Sequence, residues 1–194
     1  MQAKRFAVAV AAGVAAAALA ACAIAPERPL APVALAAAVD LARFMGDWYV
    51  IAAIPTGFER HAYNPVDSYR LDADGTVATT FSFNDGAFDG AVKRYASRGF
   101  VVADTGNAVW GQQYLWPIKA DYRISYVAPD YSATVVTREK RDYVWIMART
   151  PQISDADYQR MLEFVAAQGY DTSKVVKVPQ RPLDKRPGGS RDAS

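Results

Sequence analysis

Eight short runs rich in Val, Ile, Thr and aromatic residues follow one another between residues 47 and 148, with turn-forming residues between them. The runs are 47–54, 66–71, 76–83, 92–102, 108–115, 122–127, 133–138 and 143–148. Such runs read as strands. Pro55-Thr56-Gly57, Asp72-Ala73-Asp74-Gly75, Asp104-Thr105-Gly106-Asn107, Pro117, Pro129-Asp130 and Lys140-Arg141-Asp142 supply the breaks. With turns this short, successive strands pair as neighbours, and the economical topology is up-and-down. Eight antiparallel strands with no cover for an edge are expected to close into a barrel. The expected fold class is therefore all-β, an eight-stranded up-and-down antiparallel barrel.

The period then changes. Tyr158, Met161, Leu162 and Val165 recur at helical spacing within residues 154–168. Ser154 with Asp157 reads as the N-terminal cap and Gly169 as the stop. One amphipathic helix must lay its apolar stripe on something apolar, so it is expected on the barrel exterior. A short run at 174–178 is a candidate for further pairing with the sheet.

The ends of the chain read differently. Lys4 and Arg5 precede an uncharged run from Ala7 to Ala21, too short to span a bilayer and built like a secretory signal. It ends in Leu19-Ala20-Ala21-Cys22, which resembles the lipobox of bacterial lipoproteins. In that family the Cys sulfur takes a diacylglycerol, and cleavage exposes an amine that is acylated in turn, with palmitate as the representative acyl group. An ordinary signal with a chance Cys is the alternative. Cys22 is the only Cys, and it stands where this chemistry needs one. Ala23 rather than Asp follows it, which by the same resemblance favours the outer membrane, facing the periplasm. The expected organisation is a signal over 1–21, acylated Cys22 with a Pro/Ala-rich spacer over 22–40, a domain over 41–180 and a disordered tail over 181–194. Residues 33–39 are expected to form a helical turn leading in.

Composition narrows the function classes. One Cys and one His cannot build a closed protein-only zinc site, and one Cys excludes an internal disulfide. Removing Lys4 and Arg5 with the signal leaves 20 basic and 20 acidic side chains, which gives no support for a nucleic-acid surface. No cofactor or metal is expected, and the lipobox resemblance implies the membrane as a partner through the acylated Cys22. His61 is the only His and sits in a loop beside Arg60, and no Gly-x-Ser-x-Gly elbow occurs, so no catalytic set is assigned.

Strand alternation picks out inward candidates. These are Tyr69 with Asp67; Phe81 and Phe83; Trp110, Gln112 and Tyr114; and Tyr122, Ile124 and Tyr126. The eighth strand is apolar on both faces, Tyr143, Trp145 and Met147 on one and Val144, Ile146 and Ala148 on the other, so alternation leaves its inward face open. Asp67 has three readings: an ion pair at the mouth, a hydrogen bond to a ligand headgroup, or a wrong register. The fourth strand yields no inward assignment. Rings of this kind either fill a barrel or line a ligand cavity, and composition does not choose.

Gly46-Asp47-Trp48-Tyr49-Val50-Ile51-Ala52 resembles the G-x-W-Y-x-I-A opening of the lipocalins. Phe58-Glu59-Arg60 follows as in the bacterial lipocalin and apolipoprotein D branch. Asp130-Tyr131 is similar to the second lipocalin signature. Tyr143 to Pro151 resembles the branch's last strand, its Arg149 and its T-P before the helix. The resemblance covers about residues 41–180. It implies a barrel floor closed by Trp48, with Arg149 packed across its ring, and a mouth at the other end near residues 54–63. Only this resemblance, through Arg149 on the same face, implies that Tyr143, Trp145 and Met147 point inward. It also implies binding, storage or transport of a fatty acid or lysophospholipid, without catalysis. A lipocalin-fold enzyme and a filled barrel acting as an envelope scaffold are the alternatives. Trp116-Pro117-Ile118-Lys119 departs from the branch's usual turn between the fifth and sixth strands.

Overall fold

The computed structural model describes residues 30–185. The chain divides at Ala31/Pro32 into two units, and the strands and helices below all belong to the unit Pro32–Ser194. Cys22, the signal over 1–21 and the last nine residues of the expected tail lie outside the described residues.

The strands are β1 (Gly46–Ile54), β2 (Ala62–Leu71), β3 (Val77–Asp85), β4 (Val92–Val101), β5 (Val109–Leu115), β6 (Ile118–Val127), β7 (Ala133–Thr137), β8 (Val144–Ala148) and β9 (Val176–Lys177). A one-turn helix α1 (Leu41–Phe44) precedes them, and α2 (Asp155–Ala167) lies between β8 and β9. Each of β1 to β8 pairs antiparallel with the next, and β8 returns to β1, so the sheet closes. Closure removes the edges that eight exposed strands would otherwise present.

The closing seam is split. β1 pairs with β2 only from Gly46 to Tyr49. Beyond that point β2 bends away at Asn64 (φ 50°) and Pro65. The gap is filled by the end of the chain: Val176 and Lys177 pair with Ala53 and Ala52. Gln180 Nε2 then donates to the carbonyls of both Val50 and Pro65, each at 2.9 Å.

Two strands start four residues earlier than the sequence suggests. β2 begins at Ala62, because the Asn64–Pro65 kink is absorbed where the β2–β3 register shifts. β6 begins at Ile118, directly after Pro117, because the hairpin turns within Trp116-Pro117. Residues 33–39 are extended rather than helical. Their N–H groups go to the barrel instead: Ala36 to Ile124 O (2.9 Å) and Val39 to Gly106 O (2.8 Å). A chain that satisfies its amides on a neighbour has no need of helical bonds.

Two apolar clusters result. One fills the barrel around Phe44, Trp48, Tyr69, Trp110 and Ile124. The other lies outside, where Tyr158, Met161 and Val165 of α2 pack over Ile51, Val135, Val144 and Ile146. Ser154 caps α2, its hydroxyl accepting from Asp157 N at 3.0 Å.

Candidate functional site: the barrel interior

The floor is built first. α1 has four residues, so nearly all its carbonyls lack helical partners. Arg149, just after β8, supplies donors to the last two of them and to two carbonyls that follow. Its guanidinium donates to the carbonyls of Arg43 (2.7 Å), Phe44 (3.1 Å), Met45 (2.8 Å) and Asp47 (2.8 Å). It also lies 3.8 Å from the Trp48 ring centre, a cation–π contact. Trp48 Nε1 donates to Phe44 O at 2.8 Å. Gly46 has φ +92°, and a Cβ there would meet Arg149 Nη1 at 3.4 Å. Asp130 accepts from Ser132 N and Oγ, which holds its carboxyl below the usual range. The adjacent Tyr131 hydroxyl accepts from Asp40 N at 2.8 Å, and Arg43 lies over its ring. The signature residues thus tie the entering chain to the closed end.

Above the floor the rings of Phe44, Trp48, Tyr69, Trp110 and Tyr122 touch at 5.0–6.4 Å. All are at most 8% exposed, so this part of the barrel is filled by side chains. Tyr69 and Tyr122 share a hydroxyl–hydroxyl hydrogen bond of 2.7 Å. Accessibility rises toward the mouth. Phe81 and Phe83 are buried, Asp67, Ser97 and Trp145 are half-buried, and Tyr95 and Tyr114 are 39% and 54% exposed. Solvent therefore reaches the inner side chains in part toward the mouth, where the walls are aromatic.

A polar belt separates the two parts. Gln112 Nε2 donates to Ser97 Oγ at 2.6 Å, but Gln112 Oε1 and Thr79 Oγ1 are buried without a hydrogen-bond partner. Unpaired buried acceptors are costly. Asp67 pairs in register with Trp48 and Phe81 and faces inward. Its carboxyl is enclosed by the barrel, although solvent reaches part of the side chain down the mouth. Burial first, and the charge of Glu59 second, push its pKa from 3.8 up to about 8, with the Tyr69 hydroxyl opposing. The charge it faces is acidic, so the ion-pair reading of Asp67 is not the one observed. Burial, then Asp67 and Glu59, also raise the Tyr114 hydroxyl, although part of its ring stands open in the mouth.

Most of the inward candidates lie inside. Trp110, Gln112, Tyr122, Ile124 and Met147 line the interior. Trp145 pairs with Ala53 and Val136, and its Nε1 donates to Glu59 Oε1 at 3.0 Å. Tyr143 is a correction: it precedes β8 in the β7–β8 turn, beside Trp145 and under Arg138, but it packs against the external cluster, where the Tyr170 hydroxyl donates to its carbonyl. Tyr126 is a correction. The β6–β7 register shifts between Ile124 and Tyr126, a bulge that inserts Ser125 and reverses the alternation. Tyr126 therefore points outward, its ring 5.6 Å from Phe164 of α2.

Four mouth residues escaped the sequence reading. Tyr95 and Ser97 lie on β4, where both faces look polar and alternation carries no signal. Phe58 folds over the mouth, 5.0 Å from Tyr95 and 6.1 Å from Phe81. Glu59 accepts from Thr56 N at 2.6 Å, which turns its carboxylate inward. Phe58 and Glu59 were visible only as part of a family motif. His61 is exposed in the same loop. Among the described residues no cluster of His, Cys, Asp and Glu could hold a metal ion.

A groove of about 810 Å³ lies outside the barrel, between the β6–β7 turn and the start of α2. Tyr126, Met161 and Phe164 form its base, and Asp130, Asp157 and Arg160 its polar rim. It is separate from the interior and holds none of the belt residues.

A closed eight-stranded antiparallel barrel with a sealed floor, an aromatic mouth and one external helix defines the lipocalin class of protein. The family model described as "Lipocalin-like domain" matches residues 39–180, and the chain belongs to that family. Among curated relatives, outer membrane lipoprotein Blc of Escherichia coli K12 is 29% identical over 142 residues, 73% of this chain and 79% of that protein. Temperature-induced lipocalin-1 of Arabidopsis thaliana is 28% identical over 148 residues, 73% and 80% of the two chains. Solved structures agree on the fold. Lobster apocrustacyanin A1 superposes with a TM-score of 0.58 at 15% identity, covering 82% of this chain and 98% of that one. Insecticyanin from the tobacco hornworm Manduca sexta gives 0.56 at 17%, covering 78% and 84%.

Proposed function

We propose that this chain is a lipid-anchored lipocalin that binds, stores or transports an amphiphile, such as a fatty acid or lysophospholipid, in the bacterial envelope. One observation carries the reading: aromatic inner walls become progressively accessible from Phe81 to Tyr114 above a sealed floor. Such a concave apolar site with a few convergent polar groups is the common form of a small-molecule site. Relatives named as outer membrane lipoproteins support the anchoring of Cys22 and the outer-membrane location.

The ligand occupies the upper barrel only, because the floor is already packed. Its apolar part lies against Phe81, Phe83, Trp145 and Met147. Each buried methylene contributes about 0.8 kcal/mol. Ten would give roughly 8 kcal/mol before ordering costs, which corresponds to micromolar affinity at best. The belt of Asp67, Thr79, Gln112 and Tyr114 offers hydrogen bonds to a polar group. Donors on the ligand would satisfy the orphaned Thr79 and Gln112 oxygens.

Native mass spectrometry of the Cys22→Ser protein, delipidated and mixed with a lipid extract, tests this. A bound amphiphile of defined mass is the expected result. Failure to retain any lipid would leave the barrel as a scaffold.

A further inference from the structure

The two ends of the barrel differ in what they show to solvent. The β1–β2, β3–β4, β5–β6 and β7–β8 connections form the mouth end. There Leu115, Trp116 and Ile118 of the β5–β6 hairpin are 71%, 81% and 67% exposed, with Val92 and Phe58 at 51% and 42%. Among the described residues the floor end exposes only single large apolar side chains, Leu71 and Val102. A cluster of this kind on a hairpin tip marks a contact surface.

The path of the entering chain says what covers it. Val33 N lies 3.4 Å from Glu139 Oε2, in the β7–β8 turn at the mouth end, and donates to it. Ala36 then bonds to Ile124 in mid-strand, and Val39 to Gly106 in the β4–β5 turn at the floor. The chain therefore joins the barrel beside the mouth and runs down to the floor. Cys22 stands eleven residues before Val33. Eleven residues reach about 36–40 Å at full extension. A ten-residue strand tilted as in a barrel spans roughly 25 Å of height. With the mouth toward the membrane the tether is slack. With the floor toward the membrane it must run back along the whole barrel, at an entropic cost.

We propose that the domain sits mouth-down on the lipid surface, with Leu115, Trp116 and Ile118 seated in the membrane interface. Trp is suited to that layer, having an apolar body and a polar N–H. The arrangement rests on acylation of Cys22 and not on the identity of any ligand. It places the calyx opening against the lipid, so an amphiphile passes between bilayer and barrel without crossing water.

The test uses the acylated full chain in vesicles of phosphatidylethanolamine and phosphatidylglycerol. Cys22 is consumed by lipid, so an introduced Cys is the only free thiol. An environment-sensitive fluorophore is placed by Ile118→Cys at the mouth, or by Ala73→Cys in the exposed β2–β3 turn at the floor. The expected result is a blue shift at position 118, with loss of emission when the lipid carries a chain-borne nitroxide, and neither change at position 73. Adding Leu115→Ser and Trp116→Ser to the Ile118→Cys chain is expected to reverse much of the quenching while the protein still floats with the vesicles. Three results overturn the proposal: a water-like spectrum at 118 on floating protein, quenching at 73, or no effect of the two Ser substitutions. A concentration-dependent blue shift without lipid quenching also overturns it, because a second copy then covers the tip. Protein that does not float overturns the anchoring reading itself, which separates the two failures.

Discussion

Asp67 is the residue whose charge state the barrel alters most usefully. Its pKa is raised from 3.8 to about 8, so between these values the unfolded chain gives up a proton that the folded chain keeps. Stability is then fully present below about pH 4 and falls as pH rises through about 8. Each pH unit in that window amounts to about 1.4 kcal/mol for a full proton difference. Solvent entering the mouth reduces the total to on the order of a few kcal/mol. Asp67→Asn is expected to flatten this dependence and to be the more stable protein at alkaline pH, as urea denaturation across the window will show. An unchanged slope would mean that the carboxyl is solvated. Trp145 and Tyr126 form a second residue-scale comparison. Both are aromatic and both are expected inward, Tyr126 by alternation and Trp145 by sharing a face with Arg149, but only Trp145 is inside. Trp145→Ala is expected to weaken lipid binding by about 1–3 kcal/mol with the barrel still folded. Tyr126→Ala is expected to leave binding unchanged and to lower stability by a similar amount through lost contact with Phe164. Equal affinity of Trp145→Ala and wild type would remove the proposed pocket.

At the scale of elements, the caps decide how the barrel ends are closed. Ser154→Ala removes the hydroxyl that accepts from Asp157 N and is expected to cost about 1 kcal/mol, measured as a lower urea midpoint at constant slope. Arg149→Met strips four carbonyls of their donor and Trp48 of its cation. The expected loss is about 2–4 kcal/mol, with Arg149→Lys recovering only part, because an ammonium cannot reproduce the planar fork. The elements themselves were largely legible. Turn chemistry such as Asp72-Ala73-Asp74-Gly75 and the Ser154 cap act within a few residues, and local chemistry is what a sequence displays. The misread pieces depend on partners far along the chain. Residues 33–39 are extended because Ile124 and Gly106 accept their amides, and β2 survives Pro65 because Gln180 and Pro179 supply its hydrogen bonds.

For the whole molecule, the lead-in belongs to the fold. Val33 and Val39 are 4% and 2% exposed, one against the external cluster and one at the floor. A chain beginning at Pro32 is expected to keep full stability. One beginning at Asp40 loses both side chains from the core and is expected to lose about 3–5 kcal/mol, seen as a lower thermal midpoint. Equal midpoints would show that the stretch is a spacer throughout. The sequence by itself determined the eight strands, the external helix and the closed barrel, and its family motifs implied the pairing of Trp48 with Arg149. It could do so because period-two alternation, turn residues and caps are written locally, and because closure is the simplest way to remove two edges. Only the tertiary structure decided that the floor is filled and that exposure of the inner side chains rises toward the mouth. It alone showed that Ser125 turns Tyr126 outward, and that Glu59 reaches Trp145 across 86 positions of sequence. A bulge reverses parity without leaving a mark in composition. A cavity is what remains after distant side chains have packed, and that remainder is a property of volume in three dimensions.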